Sequence, residues 1–244
     1  MKCVMLAGGY ATRLWPLTKN QPKALLDLNG KAMIDFPLRK VEELEEVDEV
    51  IVITNEKFYK GFRDWAEKSE SRAKITVIND KTIENESKLG AIGDLQYAIK
   101  EAGINKDMVV VNADNIFDFS LKTAMDYFKG KKKTVLAVMD LAQDMGSVKK
   151  SGVVEMNEQG RVVSFEEKPE EPKSTMVSLG IYFYPAEAIK KIDEYIRQGK
   201  NPDKIGHFNQ FLVETDEVYG YVESGQWEDI GTIEGLEEAR RKFK

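Results

Sequence analysis

Between residues 3 and 139 the chain repeats one alternation. A short run of apolar, often β-branched residues is followed by a longer stretch with apolar positions three and four apart. Cys3–Leu6, Val50–Thr54, Ile75–Ile78, Met108–Asn112 and Thr134–Met139 are of the first kind. They predict strands with both faces covered. Phe36–Glu45, Phe58–Lys68, Gly90–Ala102 and Leu121–Lys129 are of the second kind and predict helices. Such alternation implies right-handed crossovers and a largely parallel sheet. From Gly152 onward the pattern changes. Gly152–Asn157 and Arg161–Phe165 flank Glu158-Gln159-Gly160 and predict a hairpin. A strand over Val177–Tyr184, a helix near Ala186–Gln198, a loop from Gly199 to Gly206 and a short helix containing Phe208 to Val213 follow. A strand over Val218–Val222 and a helix over Ile233–Phe243 complete the pattern. The expectation is an α/β fold, three layers α/β/α around a mixed, mostly parallel central sheet, as a single domain over residues 1–244 with two lobes, 1–140 and 141–244.

Composition narrows the partners. With 42 acidic against 36 basic residues the formal net charge is −6, which argues against a nucleic-acid partner. No apolar run approaches the ~18 residues of a membrane span and no secretory leader pattern opens the chain, so no membrane partner is expected. One cysteine, Cys3 within the first strand, allows no internal disulfide framework and fits a reducing, cytoplasmic setting. Any anion site must therefore be a local cluster of cations on an acidic body.

Such a cluster opens the chain. The first strand runs into Gly8-Gly9, and the loop beyond delivers Arg13 and, ten residues later, Lys23. Glycines let backbone N–H groups approach a phosphate closely. Arg13 brings a planar fork of donors and Lys23 a point charge, while Pro16 and Pro22 stiffen the loop. Neither G-x-x-x-x-G-K-[ST] nor G-x-G-x-x-G is present, so the loop is not one of those two phosphate binders.

The string L-A-G-G-Y-A-T-R-L-W-P-L-T followed by P-K-A-L-L resembles the signature of the sugar-1-phosphate nucleotidylyltransferases. Three further blocks resemble that family in its own order: N-A-D-N-I-F (Asn112 to Phe117), F-E-E-K-P (Phe165 to Pro169) and W-E-D-I-G-T (Trp227 to Thr232). Ala11 departs from the signature, which has glycine there. The resemblance implies a Rossmann-like fold with a nucleotide-binding lobe over 1–140 and a sugar-phosphate-binding lobe over 141–244. It implies a nucleoside triphosphate and a sugar 1-phosphate as substrates, and Mg²⁺ held by Asp114 and Asp229. Arg13 and Lys23 become the catalytic cations. Leu6, Ala7, Gly8, Gly9, Glu86 and Gly90 become nucleotide-binding positions, and Asn112, Gly152, Glu167 and Lys168 acceptor-binding ones. A homo-oligomer is compatible with the resemblance.

The chemistry so implied is attack of a phosphomonoester on the α-phosphorus of a triphosphate. Its second pKa is about 6, so the nucleophile is ionised at neutral pH and needs no general base. That accords with a chain holding one histidine, His207, and no Ser–His or Cys–His constellation. The base stays open, because E-N-E-S-K-L-G-A-I-G-D-L resembles the L-G-T-x-G-A-L block of several subgroups whereas D-N-I-F resembles thymidylyltransferases. Two other readings also stay open at this point. One is a cytidylyltransferase for a non-sugar phosphate such as phosphocholine, with Tyr182 and Tyr184 as candidates for an aromatic cage. The other is a non-catalytic regulatory subunit.

Overall fold

The computed structural model describes residues 1–243. Its centre is β1 (Lys2–Leu6), whose side chains alternate between two cores. Cys3 and Met5 enter one apolar cluster and Val4 the other. β4 (Glu49–Thr54) and β6 (Met108–Asn112) flank β1 in parallel and divide in the same way. The first cluster is covered by α1 (Asp35–Glu42), α2 (Glu56–Lys68) and α4 (Lys122–Lys131), through side chains such as Leu38, Phe62 and Phe128. The second is covered by α3 (Gly90–Glu101), α6 (Ala186–Arg197) and α7 (Ile205–Thr215), through Leu95, Ile192 and Phe208. Helices on both faces of one sheet give the three expected layers.

The sheet has nine strands. β5 (Lys74–Asn79) forms one edge beyond β4. On the other side of β6 lies β11 (Met176–Tyr184), antiparallel to it. The hairpin of β9 (Gly152–Met156) and β10 (Val162–Glu167) forms where the sequence predicts it and joins through β11. β8 (Thr134–Asp140) and β12 (Val218–Val222) extend the sheet from the opposite margin of β11. Only β10 and β11 run against the other strands, so the sheet is mixed and mostly parallel.

The pairing register of β11 jumps between Ser178 and Tyr182, and Gly180 sits in that irregularity at φ +71°. A β-carbon there would lie 2.5 Å from Asn112 Nδ2 and 2.7 Å from Asn115 Nδ2, so only glycine serves.

Two short pairings that the apolar pattern does not predict place the site. β2 (Asp27–Leu28) and β3 (Lys31–Ala32) form a small hairpin. β7 (Asn115–Phe117) pairs antiparallel with β13 (Trp227–Asp229), with Asp229 opposite Asn115. A third apolar cluster, including Leu14, Leu28, Ile116, Ile230 and Leu236, packs these pairings against α8 (Ile233–Lys242) and the turns around Lys23. Boundaries also shift. The pattern starts α2 at Phe58, but it begins at Glu56 because the Asn55 side chain accepts from the Phe58 N–H and caps the helix. A single turn, α5 (Met145–Val148), is capped by Asp144 in the same manner.

Candidate active site

Leu6 pairs with Asn112 at the carboxyl ends of β1 and β6, so the loops after these strands emerge side by side. The first loop is clamped from below. The Thr54 hydroxyl donates to Ala7 O at 3.1 Å, and Asn55 Nδ2 donates to Gly8 O at 2.9 Å. The backbone N–H groups of Gly8, Gly9, Tyr10 and Ala11 have no acceptor among the described residues. They are available to an anion. Ala11 adopts φ +45°, the left-handed region that its glycine counterpart in the signature occupies freely and that strains alanine by about 1 kcal/mol. The Thr18 hydroxyl, donating to Ala11 O at 2.7 Å, holds it there.

Past the loop, short 3-10 turns carry the two cations. Arg13 lies in Thr12–Leu14, exposed and with no ion pair among the described residues. Lys23 opens Lys23–Leu25, behind the buried Pro22. Its ammonium donates to Asp114 Oδ2 at 2.8 Å and to Asp229 Oδ1 at 3.4 Å. Burial alone would lower the pKa of Lys23, but the charges of Asp114 and Asp229 outweigh it and the net shift is upward. Asp114 follows β6 and Asp229 ends β13, so the β7–β13 pairing brings together two carboxylates far apart in sequence.

These residues line a cleft of about 400 Å³ together with Leu6, Ala7, Gly9, Tyr10, Asn85 and Lys88. A second cavity of about 210 Å³ adjoins it, and both have Lys168 and Asp229 in their walls. Asn112, Gly152, Glu167, Ser178, Tyr182, Lys204 and Trp227 are among the lining of the second. Glu167 is nearly enclosed, its side chain 10% exposed. Gly152 and Gly206 make room for it, since added β-carbons would lie 3.4 and 2.0 Å from Glu167 Oε2. Lys168 stands at φ +54° at the end of β10, with its N–H donating to Ser151 O. This conformation is disfavoured for lysine and is of the kind found where side chains are aimed at ligands.

Three sequence-derived nucleotide positions do not present a side chain or α-carbon to this cleft. Gly8 does not line the cleft; its α-carbon faces Asp94, whose Oδ2 would be 2.3 Å from an added β-carbon. Glu86 is exposed on the turn Asn85–Ser87, which instead offers Asn85 and, just beyond it, Lys88 to the cleft. Gly90, at φ +78°, packs against Pro202 and Asp203. Tyr184 is sealed in the core, donating to Asn209 at 2.6 Å, so Tyr182 and Tyr184 form no cage.

The chemistry of the donors fits a hard divalent cation. Two carboxylates already share one cationic group, and a small ion commonly takes one or two carboxylates plus phosphate oxygens. No cluster of three or more His, Cys, Asp or Glu suited to a metal occurs among the described residues, so the phosphates would complete the shell.

Unpaired amides at a strand end, fixed cations and a carboxylate pair define an α/β protein built to handle phosphate groups. The family model for nucleotidyl transferases matches residues 2–244, and the chain belongs to that family. It is 30% identical over 242 residues to a glucose-1-phosphate thymidylyltransferase from Neisseria meningitidis, covering 98% of this chain and 81% of that one. It is 25% identical over 244 residues to the bifunctional protein GlmU from Methanocaldococcus jannaschii, covering 99% of this chain and 54% of that one. A further curated relative, from Sulfolobus acidocaldarius, is spanned over 60% of its length. The chain thus spans little more than half of some curated relatives. Among solved structures, a UDP-glucose pyrophosphorylase complexed with UDP-glucose superposes with a TM-score of 0.83 at 20% identity, covering 99% of this chain and 97% of that one. This likeness shows the same fold. Among the described residues no helix is long and apolar enough to cross a membrane.

Proposed function

We propose that the chain transfers a nucleotidyl group from a nucleoside triphosphate to a sugar 1-phosphate and releases pyrophosphate. One observation carries this reading: two adjoining polar cavities share Lys168 and Asp229 at their boundary, beside the Lys23–Asp114–Asp229 cluster. Two anions, one in each cavity, can meet at that boundary. The loop amides and Arg13 bind the triphosphate, and Lys23 offsets charge that builds on the leaving pyrophosphate. Lys168 holds the acceptor phosphate in line with the α-phosphorus, while Glu167, Gly152 and Asn112 contact the sugar. Asp114 and Asp229 would hold Mg²⁺, which when bound supplies Lewis-acid stabilisation to the phosphates. The acceptor phosphate attacks as it stands, so no side chain needs to remove a proton. A cytoplasmic setting fits the substrates and the single buried thiol of Cys3.

The family relatives named as sugar-1-phosphate enzymes support this reading. The retention of Arg13, Lys23, Asp114, Lys168 and Asp229 speaks against a regulatory subunit, and the absence of a Tyr182–Tyr184 cage speaks against phosphocholine. The test is a matrix of nucleoside triphosphates against several sugar 1-phosphates and phosphocholine, read by pyrophosphate release with Mg²⁺ present. Turnover with a sugar 1-phosphate is expected. Turnover confined to phosphocholine, or none with any pair, would overturn the proposal.

A further inference from the structure

No sequence motif marks Lys204, yet it lines the acceptor cavity. Its ammonium and that of Lys168 each stand 3.9 Å from the same oxygen, Glu167 Oε1. Both contacts are longer than a hydrogen bond, so neither ammonium is satisfied by Glu167. Lys204 also precedes α7, a helix of 11 residues with no side-chain cap. The N–H groups of Ile205 and Gly206 have no acceptor among the described residues, and both residues line the same cavity. An uncapped helix start favours an anion. A second observation points to a ligand there. The Ser178 hydroxyl is buried without a partner, in a residue only 7% exposed that also lines this cavity. A buried hydroxyl left unpaired is destabilising until a polar ligand meets it.

The loop that delivers Lys204 is fastened to the nucleotide side of the molecule. Lys88 pairs with Asp203 at 2.7 Å. The first N–H groups of α3 turn to the same loop: Ala91 N–H donates to Asp203 O at 3.2 Å and Ile92 N–H to Pro202 O at 2.9 Å. Gly90 permits this, because a β-carbon there would lie 2.6 Å from Pro202 O. Its φ of +78° also excludes most other residues without strain.

Resting on the proposed function, we propose that Lys204 and the start of α7 form, with Lys168, a two-cation grip on the acceptor's phosphate, and that the α3 contacts hold Lys204 in position. Gly90 and Asp203 then act as positioning residues for the acceptor, whereas the sequence motif assigns Gly90 to the nucleotide. Lys204 neutralises the phosphate dianion from the side of the cavity formed by α7, and Lys168 from the boundary with the nucleotide cleft.

The experiment uses the full chain with the substrate pair that turns over in the matrix. KM for acceptor and triphosphate is measured for wild type, Lys204→Met, Lys204→Arg, Asp203→Ala and Lys200→Met. Lys200 lies outside both cavities, near the Phe211 ring, and serves as the control. Calorimetry compares the sugar 1-phosphate with the same sugar lacking phosphate. Lys204→Met is expected to raise acceptor KM roughly tenfold to a hundredfold with triphosphate KM within about twofold. Lys204→Arg should recover most of the loss and Asp203→Ala should reproduce part of it. Binding of the free sugar should not change. A normal acceptor KM in Lys204→Met, or an equal loss for free sugar, would overturn the inference while leaving the transferase reading intact. If wild type neither turns over nor binds any sugar 1-phosphate, both fall. Should Lys204→Met fail to fold, Asp203→Ala and Lys204→Arg decide: wild-type acceptor KM in Asp203→Ala with a lowered affinity for free sugar in Lys204→Arg would overturn it.

Discussion

Asp94 offers a prediction whose slope follows from the number of protons alone. Its carboxyl is 7% exposed, packed on the α-carbon of Gly8, and its Oδ1 has no partner among the described residues. Burial pushes its pKa up to about 8, helped by the charge of neighbouring Asp80 and a hydrogen bond with it; Lys88 acts in the opposite direction. Asp80 itself is committed to Thr82, accepting from its N–H and hydroxyl at 2.7 Å each. The unfolded chain releases the Asp94 proton near pH 3.8. Between that pH and about 8 the folded state therefore binds one proton more than the unfolded state, and this contribution to stability declines as pH rises. One proton corresponds to about 1.4 kcal/mol per pH unit. From pH 5 to 8 the loss is about 4 kcal/mol, and the contribution is gone once pH passes the folded pKa. A carboxamide in place of this carboxyl would not titrate, and its N–H could donate to Asp80. Asp94→Asn should therefore gain stability over wild type progressively across this range. Urea unfolding at pH 5, 6, 7 and 8, followed by tryptophan fluorescence, reads the difference directly. If the two proteins stay within about 0.5 kcal/mol of a constant gap, within the error of extrapolation, the buried proton does not exist.

Asp114→Ala and Asp229→Ala should each lower turnover by several kcal/mol of transition-state stabilisation, the scale of Lewis-acid assistance, measured as kcat at saturating Mg²⁺; near wild-type rates would remove that carboxylate from the site. Lys23→Met leaves Asp114 and Asp229 facing each other without an ammonium between them, so 10 mM Mg²⁺ (an assay concentration on the order of that needed for a weak carboxylate site) should raise its Tm more than that of wild type. Calorimetric scans with and without the ion decide this, and equal responses would refute it. His207→Gln should keep the acid limb of kcat/KM near pH 6, set by the acceptor phosphate; loss of that limb with a fall of roughly 10²–10⁴ would show that a side-chain base is needed after all.

The layers were legible because the central strands carry uninterrupted apolar runs. Val50–Ile53 and Met108–Val111 bury every residue, and no helix start competes with them. Local blocks single out Arg13, Lys23, Asp114 and Asp229 as candidates, but the meeting of Lys23 with the two carboxylates was not legible. It depends on β7 and β13, three residues each, too short and too polar to show any period. Lys204 was invisible for a different reason: lysines are common on surfaces, and only the packing of Pro202 against Gly90 gives this one its direction. Gly90 itself illustrates the limit of motif reading. Its glycine is required, but by a carbonyl 2.6 Å from the missing β-carbon. Asp94 is given no role by the sequence, and its burial follows only from the fold pressing it onto Gly8.

The β7–β13 pairing also imposes an order in time. Lys23 and Asp114 lie in the first half of the chain, on the loops that follow β1 and β6. Asp229 is translated 115 positions after Asp114, and it reaches the cluster only when Trp227–Asp229 docks against Asn115–Phe117. Until that docking Lys23 has Asp114 as its one carboxylate partner, and the cluster is incomplete. Assembly of the cluster is thereby tied to the last part of the chain, and a chain still being made carries the lysine without its full carboxylate pair.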